Sequence, residues 1–399
     1  ALELLGPDFQ FQTTLAVDKY DSTHVFVHGY GDPTLGSEYL GDTPTAFLSE
    51  WVELIKKYVD TESSIKITVI DNYLGYDGIP HRWIRQDMGN YYAPGAYGIS
   101  VFDNKYELTL NTARHDICPM ITKITPPIDL NFRNELTFGA DDAYIFGEPL
   151  SNERLLIGSL PKGKKSVSLK GDIPNPGLYL GQCLANELEK QGVRVRRIET
   201  SRNKYFEHLL PEEKYSFEEE VFYTHLSPPL KDIIRDTNVR SNNHYAEYLL
   251  RAIGRAQNKD IYSNPLDDGL AKVYDYWKHR GIDTKALFMY DGSGLAPSNA
   301  VSANFVCDLL LYMQNESKYS KDYLDSFAVA GQSGTVKSLL RGTRLEGKVY
   351  VKSGTIVNVR CYAGYYIAGN KKYAFAILVN NYNGLHNIVA RRSEEHTSE

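Results

Sequence analysis

Gly347-Lys348-Val349-Tyr350-Val351-Lys352-Ser353-Gly354-Thr355-Ile356 is the stretch around which the rest of this 399-residue chain can be ordered. Val349 and Val351 alternate with polar neighbours and Ile356 and Val357 follow, which is the period of a β-strand. A second strand is predicted over Tyr373-Ala-Phe-Ala-Ile-Leu-Val379. It is joined to Tyr365-Tyr366-Ile367 through Gly369-Asn370, a hairpin signal. Lysine, hydroxyl residue and glycine in succession on such a strand suit an anionic ligand. The cation holds the anion, the hydroxyl donates to a carboxylate, and the glycine lets the ligand approach the backbone. On its own the tetrapeptide also fits an ordinary surface turn.

Composition narrows the classes. The chain is 42% hydrophobic and 24% charged, as in soluble globular proteins, and its length predicts two or three domains. A formal net charge of -6 and the lack of any basic stripe argue against a nucleic-acid partner. No apolar run has the length of a membrane span. Cys118, Cys183, Cys307 and Cys361 are scattered among apolar neighbours and read as small buried hydrophobes, with no metal-ligand spacing. No metal or cofactor is expected. The 30 tyrosines suit surfaces that contact sugars or peptides.

Both ends read as cut. Ala1-Leu-Glu-Leu-Leu5 followed by Gly6 and Pro7 is the end of a helix. The last eight residues, 392–399, match the in-frame translation of a common sequencing adapter and read as an artefact. Between them, His24-Val-Phe-Val-His28 is a strand whose two histidines share a face, read as solvated in preference to a metal pair. Gly29-Tyr-Gly31 lacks the spacing of a dinucleotide loop. Thr43 and Pro44 predict the start of a helix with Leu48, Trp51, Val52 and Ile55 inward, and Ile65, Ile67 and Val69 the next strand. From about 91 to 165 the chain is strand and loop, a small β-rich unit. Asn175, Pro176 and Gly192 bracket a helix, and Val193, Val195 and Ile198 return to a strand. The charged stretch from Glu207 to Glu220 reads as a connector. From Thr224 the pattern is helix-rich: Ser227 is expected to cap a helix begun by Pro228 and Pro229, and helices follow through Tyr245 to Ile253, through Leu270 to Trp277, and after Ser302.

Ser241-Asn242-Asn243 falls between two of these helices, well before Lys352. Penicillin-binding proteins and β-lactamases carry S-x-x-K, S-x-N and K-T-G strings in that order, and two of the three are present here. Further matches run through nearly the whole chain: Leu5-Gly-Pro-Asp-Phe-Gln-Phe11, Gly31-Asp-Pro-Thr-Leu35, Ser227-Pro-Pro-Leu230, Asp291-Gly-Ser-Gly-Leu295 and Gly334-Thr335. In this ordered set the chain resembles the D-alanyl-D-alanine carboxypeptidase/endopeptidase family of low-molecular-mass class C penicillin-binding proteins. Serine at 353 in place of threonine keeps the hydroxyl. The departure is the nucleophile, because the resemblance places S-x-x-K just upstream of Ala1. Ser63-Ser-Ile-Lys66, Ser159-Leu-Pro-Lys162 and Ser201-Arg-Asn-Lys204 have the spacing by chance.

The resemblance implies an α/β multidomain fold: a three-layer α/β/α transpeptidase/β-lactamase-like domain split by a long insertion that holds a nested small β-rich domain. The implied divisions are 1–14 and 220–391 for the transpeptidase-like domain and 15–219 for the insertion. It implies a serine-type carboxypeptidase acting on peptidoglycan stem peptides ending in D-Ala-D-Ala, acylated by β-lactams, and located in the periplasm or otherwise outside the cytoplasm. It further implies roles. Lys352 supplies a positive field, Ser241 relays a proton to the leaving D-alanine, and Asn243 holds the peptide and orients the catalytic lysine. Ser353, Gly354 and Thr355 bind the substrate, with the Thr355 N–H in the oxyanion hole. Ser241 Oγ and Lys352 Nζ are therefore expected within hydrogen-bond reach. The rival readings are a non-catalytic peptidoglycan- or β-lactam-binding homologue and, more remotely, a glycan-binding module.

Overall fold

A computed structural model describes residues 1–40, 43–114, 117–202, 218–260 and 262–383. Most of the connector expected at 207–220, Lys204 and the 392–399 tail lie outside the described residues. The fold is mixed α/β, and it divides into two compact units. One is built from Ala1–Gln10, Pro228–Lys259 and the described residues from Pro265 onward; the other from Phe11–Ser227 with a short piece at 260–264.

The second unit is organised by a five-stranded sheet in the order Val195–Thr200, Ile65–Ile70, His24–Gly29, Gln12–Asp18, Glu219–Leu226. The first three are parallel neighbours, and the last two pairings are antiparallel. Parallel pairing requires crossovers, which the Ala46–Tyr58 and Pro176–Lys190 helices supply. Their stripes of Trp51, Val52, Ile55, Leu180, Leu184 and Leu188 close over Val25, Val27, Ile67 and Val69 in one core. Between the Ile65–Ile70 strand and the Pro176–Lys190 helix, seven strands from Lys105–Asn111 to Val167–Asp172 form two further small sheets.

Local signals set some boundaries and not others. Asn175 Oδ1 accepts from Leu178 N at 3.1 Å, with Pro176 in the first turn, and Gly192 takes the left-handed φ of 84° just past the end. By contrast, the first crossover helix starts at Ala46 after Thr45, two residues beyond the expected Thr43 cap. The face holding His24 and His28 is not solvated. His24 is buried with Nε2 2.8 Å from Thr68 Oγ1, and His28 meets Glu219. The expected helical character at Thr224 gives way to the Glu219–Leu226 strand, which pairs with Gln12–Asp18. Ser227 caps no helix; its Oγ accepts from Phe11 N at 2.9 Å, and the next helix begins after Pro229.

The first unit carries Lys352-Ser353-Gly354-Thr355 on a central strand. Ala328–Val329, Val349–Ile356, Val359–Ala368 and Lys371–Asn380 form an antiparallel sheet in that order. The last two strands close through Gly369-Asn370, with Gly369 at φ 60°. On one face Tyr365 packs with Leu310 and Phe327, its hydroxyl donating to Leu310 O at 2.6 Å, which docks the Ala303–Asn315 helix. On the other, Val349, Val351 and Tyr362 bury against Ala330, Val336 and Leu340. Ala328–Val329 pairs only as far as Val351, so from Lys352 on one edge of the Val349–Ile356 strand has no strand beside it among the described residues. The remaining α-helices among the described residues are Leu2–Leu5, Leu230–Arg240, Asn243–Gln257, Pro265–His279 and Ser320–Asp325.

Candidate active site

Lys352, Gly354, Thr355 and Ile356 line a cleft of about 730 Å³ together with Ser241, Asn243 and the loop 291–296. Each side chain arrives on a rigid element. Leu230–Arg240 ends and Asn243–Gln257 begins almost without a link, so Ser241 stands at the corner between two helices. It is the C-cap of the first, at φ 58° and ψ 51°, and the N–H of Asn242 returns to Thr237 O at 3.0 Å. Asn242, and not Ser241 or Asn243, caps the second helix, its Oδ1 accepting from Tyr245 N at 3.2 Å.

A left-handed serine costs roughly 1 kcal/mol relative to glycine. Ser241→Gly should therefore unfold at a higher denaturant concentration than Ser241→Ala, by about 1 kcal/mol, although neither has the hydroxyl. Equal stabilities would mean that the corner is not strained.

The corner delivers the Ser241 hydroxyl to the strand. Lys352 Nζ donates to Ser241 Oγ at 2.7 Å, across 111 residues of sequence, and also to the carbonyl of Ser353. Burial, and then the Arg360 guanidinium, push the Lys352 ammonium down from its ordinary value of 10.5 to about 8. Arg360 pairs with Thr355 across the strands; its Nη1 donates to Thr355 Oγ1 and its Nε to the Tyr362 hydroxyl at 2.9 Å. Ser353 is placed differently. It is 6% exposed, its hydroxyl lies 2.9 Å from Thr335 Oγ1, and it does not line the cleft. Gly354 leaves open room beside the strand, since a Cβ there would meet nothing nearer than Cys361 at 3.8 Å.

The loop 291–296 is held from beneath by carboxylates. Glu247, one turn into the helix that begins at Asn243, accepts from Gly292 N and Ser293 N at 2.9 and 2.8 Å. Asp291 accepts from Gly294 N, Ala296 N and Asn299 Nδ2 at 2.9, 2.6 and 2.8 Å. Helix and loop touch backbone to backbone at Gly292, where a Cβ would fall 2.4 Å from Ala246 O. Thr335 and Arg360 both lie in stretches singled out from sequence, but without roles. Glu247 gave no signal, because a glutamate inside an amphipathic helix ordinarily faces solvent.

The described residues of the three S-x-x-K strings belong to the other unit. Lys66 pairs with Glu199 at 2.8 Å, Ser159 Oγ donates to Ala140 O, and Ser201 Oγ donates to Asp71. Chemically, the cleft offers a depressed lysine, a hydroxyl bonded to it, an amide and a further hydroxyl. That set suits a carboxylate-ended peptide and a proton transfer.

Comparison with known proteins agrees in direction. Residues 1–397 match the model of the D-Ala-D-Ala carboxypeptidase 3 (S13) family. The chain is 25% identical to a D-alanyl-D-alanine carboxypeptidase of Actinomadura sp. (strain R39) over 407 residues, covering 96% of this chain and 71% of the relative. It is 26% identical to the D-alanyl-D-alanine carboxypeptidase DacB of Haemophilus influenzae over 236 residues, 58% of this chain and 46% of that one. Its fold is that of the crystal structure of penicillin binding protein 4 from Haemophilus influenzae, with a TM-score of 0.81 at 19% identity, covering 100% of this chain and 87% of that one. A second crystal structure of that protein, complexed with a β-lactam, gives 0.74 at 21% identity, over 100% and 86%.

Proposed function

The chain belongs to the D-Ala-D-Ala carboxypeptidase 3 (S13) family, and from that premise we propose that its cleft binds peptidoglycan stem peptides ending in D-Ala-D-Ala for serine-type carboxypeptidase chemistry. The observation that carries this reading is the 2.7 Å contact between Lys352 and Ser241 in a cleft shared with Asn243 and Thr355. The β-lactam complex of the Haemophilus influenzae relative supports β-lactams as ligands of the same cleft. The family is one of cell-wall enzymes, and we place the protein in the periplasm, where that substrate lies. No helix among the described residues is long and apolar enough to cross a membrane.

The residues divide the work. Lys352 and Thr355 take the terminal carboxylate, the ammonium as a charge and the hydroxyl as a directed donor. Ser353, expected from sequence to bind the substrate, instead fixes the strand from behind through its bond to Thr335, and its hydroxyl stays outside the cleft. Gly354 lets the peptide lie against the strand edge, where the Thr355 N–H stabilises the oxyanion that forms when a serine attacks the penultimate carbonyl. Asn243 holds the peptide through its amide. When the tetrahedral intermediate collapses, the leaving D-alanine nitrogen needs a proton, which passes through the Ser241 hydroxyl. Water then hydrolyses the ester. The attacking serine is that of an S-x-x-K string in this reading, and no described residue of the three strings in the chain lines the cleft.

Equilibrium binding tests the reading. Diacetyl-L-Lys-D-Ala-D-Ala should bind saturably, and its L-Ala-L-Ala diastereomer at least tenfold more weakly. Equal binding of the two would point to a non-stereospecific surface. The 399-residue chain is further expected to form no covalent adduct with a fluorescent penicillin. An adduct mapped to Ser241 would reassign that residue from relay to nucleophile, with Lys352 as its base.

A further inference from the structure

Arg360 lies directly opposite Thr355 in the antiparallel pair of strands, which places the two side chains on one face of the sheet. Its guanidinium is fixed on two sides. Nε donates to the Tyr362 hydroxyl at 2.9 Å, with the guanidinium carbon 5.1 Å from the centre of that ring, and Nη1 donates to Thr355 Oγ1. Tyr362 is itself 3% exposed and packs in the core, so the arginine rests on a rigid base. The roles in its pair with Thr355 are not interchangeable. A guanidinium has five N–H donors and no acceptor, so the Thr355 oxygen can only accept from it. The single proton of that hydroxyl is spent on no described residue. Thr355 is exposed and lines the cleft, whereas Arg360 does not line it. Neither Arg360 nor Lys352 forms an ion pair with any described residue.

We infer that Arg360 is a positioning residue that makes the Thr355 hydroxyl a dedicated donor, and so sets the preference of the cleft for a free terminal carboxylate over a carboxamide. This rests on the proposed reading of the cleft, in which Thr355 meets that carboxylate, and deepens it. An unpaired hydroxyl donates to a carboxylate or accepts from an amide N–H, and rotates to suit either. With Arg360 on one lone pair, the hydroxyl keeps its proton for the ligand, and the adjacent positive charge strengthens it as a donor. The same charge disfavours a second N–H donor at the oxygen. A carboxylate, which only accepts, suits such a partner through either of its oxygens. A carboxamide suits it through its carbonyl alone, because its NH2 group only donates. The Lys352 ammonium, also a donor without an acceptor, sorts ligands in the same direction. Selectivity for the free acid thus reaches back to a side chain that acts through Thr355.

The probes are diacetyl-L-Lys-D-Ala-D-Ala and its C-terminal carboxamide, titrated onto the unaltered chain and its variants at pH 6.5. At that pH the Lys352 ammonium is charged with or without Arg360, so its own titration does not enter. The unaltered chain should bind the acid roughly 100-fold more tightly than the amide. Arg360→Met should lower that ratio by roughly tenfold, chiefly by weakening the acid. In a Thr355→Val background, where no hydroxyl remains to be directed, Arg360→Met should change the ratio by less than about threefold. A merely structural arginine would weaken acid and amide alike and leave the ratio intact. An arginine acting only as a distant charge would lower the ratio equally in both backgrounds. Either result overturns the inference. Should Arg360→Met fail to fold, Arg360→Gln takes its place. The glutamine carbonyl can accept the Thr355 proton, so the ratio should fall as far, and an unchanged ratio overturns the inference again. Failure of the underlying reading looks different. Acid and amide binding equally well to the unaltered chain would remove the carboxylate from the cleft and the role of Arg360 with it. A preference for the acid that survives the loss of Arg360 sinks that role alone.

Discussion

Lys352→Met should weaken binding of diacetyl-L-Lys-D-Ala-D-Ala by roughly 10- to 100-fold, the range expected for a charge-assisted hydrogen bond to a carboxylate. The pH dependence gives the test its sign. Burial and Arg360 hold the Lys352 ammonium at about 8, so below that pH the group is charged and affinity is flat. Above it, binding must first return a proton to the amine, and affinity falls by up to tenfold per pH unit. In Lys352→Met that fall should be absent. Arg360→Gln removes one of the two causes of the depression, so its break should lie above 8. Calorimetric titrations between pH 6 and pH 10 read all three curves. A Lys352→Met variant that binds as tightly as the unaltered chain would remove the lysine from the site.

The second large effect is on stability. Glu247 has its carboxyl raised from 4.5 to about 7, chiefly by burial and then by Asp291. A raised acid favours the folded state most when it is protonated. Its contribution is complete below pH 4.5 and is lost as pH rises through about 7, amounting to about 3 kcal/mol over that window. Glu247→Gln keeps the acceptor and cannot ionise, so this part of the pH dependence should vanish. Amide hydrogen exchange in the Asn243–Gln257 helix at pH 5 and pH 8 isolates the effect from the other unit. Parallel losses in variant and parent would show that Glu247 does not titrate in this range.

What the sequence made legible follows from how local each determinant is. Asn175 with Pro176, Ser302, and Gly369-Asn370 act through bonds to residues a few places away, and each lies where its chemistry indicated. The Ser302 hydroxyl, for example, accepts from Phe305 N at 3.1 Å. Strand Val349–Ile356 was readable because one of its faces is buried and the alternation shows. The Glu219–Leu226 strand was not, because its pairing partner, Gln12–Asp18, is about 200 residues away and its own pattern mixes charged and aromatic residues on both faces. Ser227 illustrates the same limit: a hydroxyl before two prolines looks like a cap, but a backbone N–H from Phe11 claims it.

The site divides along the same line. Residue types named Lys352, Ser241 and Asn243, but no spacing rule brings residues 111 apart to 2.7 Å; that expectation came from the family resemblance. The direction of the Ser353 hydroxyl, toward Thr335 and behind the strand, depends on a turn at Gly334–Val336 that sequence alone did not connect to it. Glu247 was invisible for a physical reason. Whether a helical glutamate faces solvent or a loop of backbone donors is decided by what packs over it, and Gly292 permits that packing only through a backbone contact made 45 residues later.

The central claim is that one cleft holds a D-Ala-D-Ala terminus with its carboxylate on the Lys352 strand, and a crystal structure of the chain with diacetyl-L-Lys-D-Ala-D-Ala tests it most directly. The terminal carboxylate should lie within about 3 Å of Lys352 Nζ and Thr355 Oγ1. A peptide bound elsewhere, or bound here with its carboxylate away from Lys352 and Thr355, would contradict the account.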